Sequence, residues 1–272
     1  MKNIETFTTL DGSVGLYNTE LDEVYHSKFG AKKEAFEKFI EPAMIINDFL
    51  NDRHVDILDI CYGIGYNTKC ALENFNGIAS IDCVEKDFEL AKKSFEFEYD
   101  DKINKIIENN LKNPDFIRFY FEDIRKTVKK LNKKYDVIFH DGFKPTVQPE
   151  LWSEELILEI SKLLKPEGIY CTYNHSKPVL NALKQAGLFV GKTVKDDKII
   201  GTVASKNKDL ILNPLNNYEL GELNTKSAIT YKDSSLDLTS AEILKNREHE
   251  VESSKLMSLS AYKKIKSTTE AF

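Results

Sequence analysis

Between Val55 and about Gly187 the chain alternates apolar runs with stretches of helical period, and this alternation most constrains its fold. Val55–Ile60, Ile78–Val84, residues 116–121, the run around Val137, Ile138 and Phe139, and residues 169–173 read as strands. The run at 137–139 has no polar alternation, as suits a strand buried on both faces. Strands separated by helices specify a doubly wound, mostly parallel sheet. Residues 188–194 and 199–205 are joined too closely to hold a crossover helix, so they should pair antiparallel. The expected architecture is α/β and Rossmann-like, with an antiparallel last strand.

Two flanks complete the chain. Residues 4–18 read as a hairpin turning at Asp11-Gly12. A helical pattern from Gly30 to about Leu50 follows, with Phe36, Phe39, Ile40, Ala43, Ile46 and Leu50 on one face and Pro42 set to kink or split it. Residues 206–272 turn polar and Asn-rich around a helical piece at about 240–255. The organisation expected is hairpin and helix over 1–54, sheet core over 55–206, and an extension over 207–272 packed on that core. Pro166-Glu167-Gly168 should be a turn, and the helix after residue 121 should carry Lys126, Lys129, Lys130, Lys133 and Lys134. Such a run is usually a solvated face, and RNA contact is its other use.

The four cysteines include no Cys-x-x-Cys pair, which argues against a zinc site and a disulfide framework. No apolar run approaches the roughly 20 residues that span a bilayer, and residues 1–13 do not resemble a signal peptide, so a cytoplasmic location away from membranes is expected. The net charge of -6 leaves no global basic excess, so nucleic acid would have to be held by local patches, Lys144 among them.

Ligands of open α/β sheets bind at the carboxyl ends of the strands, where this chain places acids. Asp141 follows the 137–139 strand in an Asp-Gly pair; it suits a ligand contact or a turn cap. In CYGIGYN, Gly63 and Gly65 make a tight turn before a helix starting near Asn67, where bare backbone and free amides can meet a ligand. Glu85 ends the next strand about 20 residues on, as an acid holding ribose hydroxyls would, or as a helix-start acid. Asp123 marks a third acidic strand end.

Such a sheet looks like a class I S-adenosylmethionine methyltransferase. TLDGSVGLY at 9–17, YHSKFGAKKEAFEKFI at 25–40, CYGIGYN, DGFKPTVQPELW at 141–152 and TKSAITYKDSSLDLT at 225–239 resemble the MnmC-like family. The likeness is to the stand-alone methyltransferase domain of the tRNA 5-methylaminomethyl-2-thiouridine biosynthesis protein. It implies methyl transfer from S-adenosylmethionine to the amine of 5-aminomethyluridine at the tRNA wobble position, with a separate enzyme supplying the aminomethyl group. Carried over, Gly63, Gly65 and Asn67 cradle the methionine part, Glu85 binds ribose and Asp123 the adenine amine. Asp141 faces the reacting amine, Phe143 shapes the base pocket, and Tyr25 and Ser27 close over the cofactor.

A carboxylate beside an amine favours the ammonium form, so Asp141 is expected to orient the lone pair by accepting a hydrogen bond. His140 and His175 are adjacent candidates for a proton relay or structural histidines. Where relatives carry a Gly-Arg-Lys-like segment, this chain has Lys195-Asp196-Asp197-Lys198. Where they often carry Val-Arg, it has Val179-Leu180. Both changes remove positive charge from the rim that the resemblance would turn toward RNA. Methyl or aminopropyl transfer to a small-molecule amine, and a non-catalytic subunit binding cofactor or RNA, are the rival readings.

Overall fold

The computed structural model describes residues 3–50 and 53–269. Strands β1 (Ile4–Thr8) and β2 (Val14–Asn18) form the expected hairpin, with the short β3 (Glu23–Val24) on the other side of β2. Gly12 turns it at φ +82°. The helix that follows is broken, as Pro42 requires. Ala31–Ala35 is α-helical, Phe36–Ile40 widens to a π turn in which the Glu41 N–H reaches the Phe36 carbonyl, and short α segments follow at Glu41–Ala43 and Ile45–Phe49. Pro42 has no N–H to continue the ladder, and the widened turn lies where that bond is lost.

The main sheet contains β4 (Val55–Ile60), β5 (Ile78–Val84), β6 (Ile117–Tyr120), β7 (Tyr135–His140), β8 (Leu164–Thr172), β9 (Phe189–Lys195) and β10 (Lys198–Ser205). Their spatial order is β6-β5-β4-β7-β8-β10-β9. Strands β4 to β8 are parallel, and β10 runs antiparallel to both β8 and β9. The last strand therefore slots inside the sheet and leaves β9 at the edge. Growth of the sheet reverses between β4 and β7, which creates a crevice at their carboxyl ends.

Ile57, Val137 and Phe139 point to one face and pack with Phe39 and Ile40. Leu58 and Ile138 point to the other, against Trp152, Tyr170 and Leu183. Such alternation buries both faces. Pro166-Glu167-Gly168 is no turn: it lies within β8, whose pairing with β7 jumps from Tyr135↔Leu164 to Val137↔Ile169. The extra residues bulge out of register while the strand continues.

The lysine run is also rearranged. The helix after β6 covers only Ile124–Thr127, so Lys129 to Lys134 lie beyond it. Lys130 pairs with Glu122, Lys133 with Asp56, and Lys134 donates to the Lys162 carbonyl at 2.7 Å. The last two contacts are at the amino-terminal side of the sheet, opposite the crevice.

The extension contributes Leu215, Leu223, Tyr231 and Ile243 to the same apolar cluster as Trp152. Its strand-like segment covers the β9 edge through Lys192 N–H to the Asn213 carbonyl (2.8 Å) and Leu215 N–H to the Val190 carbonyl (3.2 Å). Helices follow at Asn217–Glu222, Ser240–Ser253 and Leu259–Thr269; the second matches the helical piece read from sequence. Among the described residues no helix is long and apolar enough to cross a membrane.

Candidate active site

The carboxyl ends of β7, β4, β5 and β6, neighbours in that order, border one cleft of about 800 Å³. Asp141, Gly63, Glu85 and Asp123 line it in the same sequence. Tyr25, Ser27 and Phe143 line it from above.

The turn after β4 is left-handed at Cys61 (φ +64°), Gly63 (+58°) and Gly65 (+81°). A Cβ on Gly63 would meet nothing closer than the Cys61 carbonyl at 3.9 Å, so its bare backbone opens onto the cleft. On Gly65 a Cβ would collide with the Tyr62 hydroxyl, and Gly65 borders neither the cleft nor the chamber behind it. Its glycine seats Tyr62 and starts the helix Tyr66–Asn74, whose first turn carries Asn67.

Glu85 ties this turn to β5. Its carboxylate accepts the N–H groups of Gly63 and Asp87, each at 2.8 Å. Burial nevertheless raises its pKa above the ordinary carboxylate value. Asp141 donates its backbone N–H to the Ile60 carbonyl (3.1 Å) and accepts the Asn67 side-chain amide at 2.9 Å. Burial first, and then the charge of Glu34, push the Asp141 carboxyl up to about 7.

Glu34 and Lys38, from the broken helix, also line the cleft. They pair with each other, and Glu34 accepts the Ser27 N–H at 2.9 Å. Sequence reasoning missed them, because the face a helix turns toward a cleft depends on how a π turn and a proline rotate it. Above the cleft Tyr25 meets Phe143 edge-on at 4.8 Å, and Glu23 pairs with Lys144. Lys144 is thus bound to the hairpin side and is not a free phosphate contact.

A chamber of about 30 Å³ behind the cleft is bordered by His26, Cys61, Asn67 and Asp141. Among the described residues His26 Nδ1 is buried without a partner, and burial lowers that imidazole to about 4. His140 is excluded from the cleft: it is buried, stacked on Trp152 at 4.4 Å and bonded through Nδ1 to the Tyr170 hydroxyl at 2.8 Å. Its burial lowers the pKa to about 3, so it is a neutral core group. His175 is exposed and lines neither space. The Trp152 indole donates to the Phe143 carbonyl at 2.6 Å, which fixes the loop that carries Phe143.

Residues 87–207 match a family model described as S-adenosyl-L-methionine-dependent methyltransferase. An uncharacterized protein of Methanocaldococcus jannaschii is 33% identical over 258 residues, covering 88% of this chain and 70% of that one. The crystal structure of MnmC2 from Aquifex aeolicus is similar with a TM-score of 0.80 and 28% identity, over 92% of this chain and 86% of that one. The chain belongs to the MnmC-like methyltransferase family. The bifunctional MnmC protein of Campylobacter hominis, named for tRNA 5-methylaminomethyl-2-thiouridine biosynthesis, is 28% identical over 167 residues. That match covers 54% of this chain and 25% of that protein, so the chain spans about a quarter of its length. Spermidine synthase from Thermotoga maritima shares the fold alone, with a TM-score of 0.55 at 17% identity over 90% of this chain and 83% of that one.

S-adenosylmethionine is the cofactor of this MnmC-like family, and the cleft fits it. The volume lies in the range of small-molecule sites. Gly63 offers open backbone, and the oxygens of Glu85, held by two N–H groups, have acceptor positions left for hydroxyl donors. The surrounding carboxylates suit a sulfonium cation.

Proposed function

We propose that this chain transfers a methyl group from S-adenosylmethionine to the aminomethyl amine of 5-aminomethyluridine, or of its 2-thio form, at the wobble position of tRNA. The observation that carries this reading is Asp141, a carboxylate with an upshifted pKa, held by Asn67 at the strand crossover beside Gly63 and the Tyr25–Phe143 pair. The name of the Campylobacter relative supplies the nucleoside.

When bound, the cofactor supplies an already activated methyl group on sulfur. The chain's task is to align an amine and remove its proton. Such an amine is mostly an ammonium near neutral pH, and a carboxylate of ordinary pKa would only hold that form. Burial changes this: Asp141, raised to about 7, is matched to accept the proton as well as to orient the lone pair. Asn67 fixes one carboxylate oxygen, and Phe143 and Tyr25 provide an aromatic wall for the base. Glu85 takes the ribose hydroxyls and Asp123 the adenine amine.

The charge of the cleft favours a second reading, methyl or aminopropyl transfer to a small-molecule amine. Among the described residues nine carboxylates and three lysines line it, and those lysines, Lys38, Lys86 and Lys144, lie against Glu34, Asp123 and Glu23. This lining attracts a cation and repels phosphate. Labelled cofactor should therefore be offered to tRNA lacking the modification and, separately, to an aliphatic diamine. Label in 5-methylaminomethyl nucleoside after digestion supports the first reading. Label in the diamine alone supports methyl transfer to a small-molecule amine, and transfer to neither refutes both methyl-transfer readings; aminopropyl transfer is tested with the decarboxylated cofactor as donor and the diamine as acceptor.

A further inference from the structure

An arginine links the extension to an acid of the cleft. Strand order places Asp123 beyond Glu85, counted from Asp141, and neighbouring strands are about 4.8 Å apart. A nucleoside with its ribose at Glu85 therefore has its base beside Phe88, Ile124 and Asp123, all of which line the cleft. In that apolar setting Asp123 offers the acceptor for an exocyclic amine.

Asp123 is held on its other side by Arg125. The guanidinium donates Nη2 to Asp123 Oδ2 at 2.9 Å and Nε to both oxygens at 3.2 and 3.3 Å, while the Arg125 backbone N–H meets Oδ1 at 2.9 Å. Burial alone would raise the Asp123 carboxyl; these donors outweigh it and keep the pKa below the ordinary value. Arg125 is anchored in turn by the extension. Its Nη1 donates to Asp233 Oδ2 at 2.9 Å and to the Leu238 carbonyl at 2.8 Å. Asp233 is fully buried, and its Oδ1 accepts the N–H groups of Asp237 and Leu238 at 3.0 Å each.

We infer that the carboxyl-terminal extension completes the cofactor site: Asp233, acting through Arg125, is a positioning residue that holds Asp123 for the 6-amino group of the purine. The inference rests on the reading that the cleft takes S-adenosylmethionine with its ribose at Glu85. A planar guanidinium can bridge two carboxylates as a rigid fork, whereas an arginine held at one end swings on a long stem. The acceptor positions of Asp123 not used by Arg125 are then presented at a fixed angle to the cleft.

The test titrates the whole 272-residue chain by calorimetry with S-adenosylhomocysteine and with its 6-deamino analogue, which has hydrogen in place of the amine. Asp233→Asn is expected to weaken the amino ligand about tenfold and the deamino ligand less than about twofold, the size of one lost hydrogen bond. In an Asp123→Ala background the same substitution should cost nothing further, since it acts through that carboxylate. Should Asp233→Asn not fold, Arg125→Lys keeps a cation between the carboxylates without the fork and is expected to give the same split. Equal losses for both ligands, or none, overturn the inference. So does an Asp123→Ala protein that still prefers the amino ligand as strongly as wild type does. Failure of the wild type to bind S-adenosylhomocysteine would overturn the cofactor orientation itself, whereas failure of methyl transfer to any acceptor touches only the proposed function.

Discussion

Asp141→Asn should separate stability from turnover. The carboxyl is moved from 3.8 to about 7, roughly three units, by burial and then by Glu34. A carboxyl with a raised folded-state pKa stabilises the fold while protonated; that contribution is complete below about pH 4 and disappears as the pH rises through about 7. At 1.36 kcal/mol per unit, a fully sequestered group would cost about 4 kcal/mol at alkaline pH. Asp141 is partly open to the cleft, and screening there reduces this to about 1–2 kcal/mol. Asparagine cannot ionise, yet its carbonyl oxygen can accept the Asn67 amide. The cofactor-free variant is therefore expected to melt about 2–6 °C above wild type at pH 8, and at the same temperature near pH 4. Glu85 and the other carboxylates titrate in both proteins, so the difference isolates Asp141. Single-turnover methyl transfer at saturating cofactor should fall by about 10²- to 10⁴-fold, with cofactor affinity within a few-fold of wild type. Equal melting temperatures at pH 8 would show that the ionised carboxylate is not destabilised, and wild-type turnover would reduce Asp141 to a turn cap.

Glu85→Ala should weaken S-adenosylmethionine by about 1.5–3 kcal/mol in calorimetry through the lost ribose contact, with circular dichroism unchanged; unaltered affinity removes Glu85 from the site. Gly63→Ala should cost about 1–2 kcal/mol of stability for its left-handed backbone and much more in cofactor affinity, whereas Gly65→Ala should lower the melting temperature further because its Cβ collides with Tyr62. Denaturant titration beside ligand titration distinguishes the two, and identical profiles would contradict the assignment of Gly63 alone to the cleft. Lys144→Ala should leave the slope of log tRNA affinity against log salt unchanged, since Lys144 is paired with Glu23; a drop of about one unit would show a phosphate contact.

Much of the fold was legible because it is written in neighbours along the chain. The bounds of β4 and β5 match the apolar runs residue for residue, the hairpin turns at Asp11-Gly12, and the helix breaks around Pro42. Acids at successive strand ends announced an edge site for the same reason: a strand's length and its terminal turn are local properties. Composition and motif could not say which lysines are free. Lys130, Lys133 and Lys144 are each neutralised by a carboxylate that lies elsewhere in the fold, and only packing brings the pairs together. Nor could the glycine pair be divided into one that opens the cleft and one that seats Tyr62, because that depends on what stands opposite each Cα. The approach of Asp233 to Arg125 across 108 residues is of the same kind. Backbone period and turn chemistry are fixed by adjacent residues, whereas the partner of a charge, and with it the pKa of Asp141, is fixed by which distant elements share its surroundings; the sequence by itself determined the former, and only the tertiary structure decided the latter.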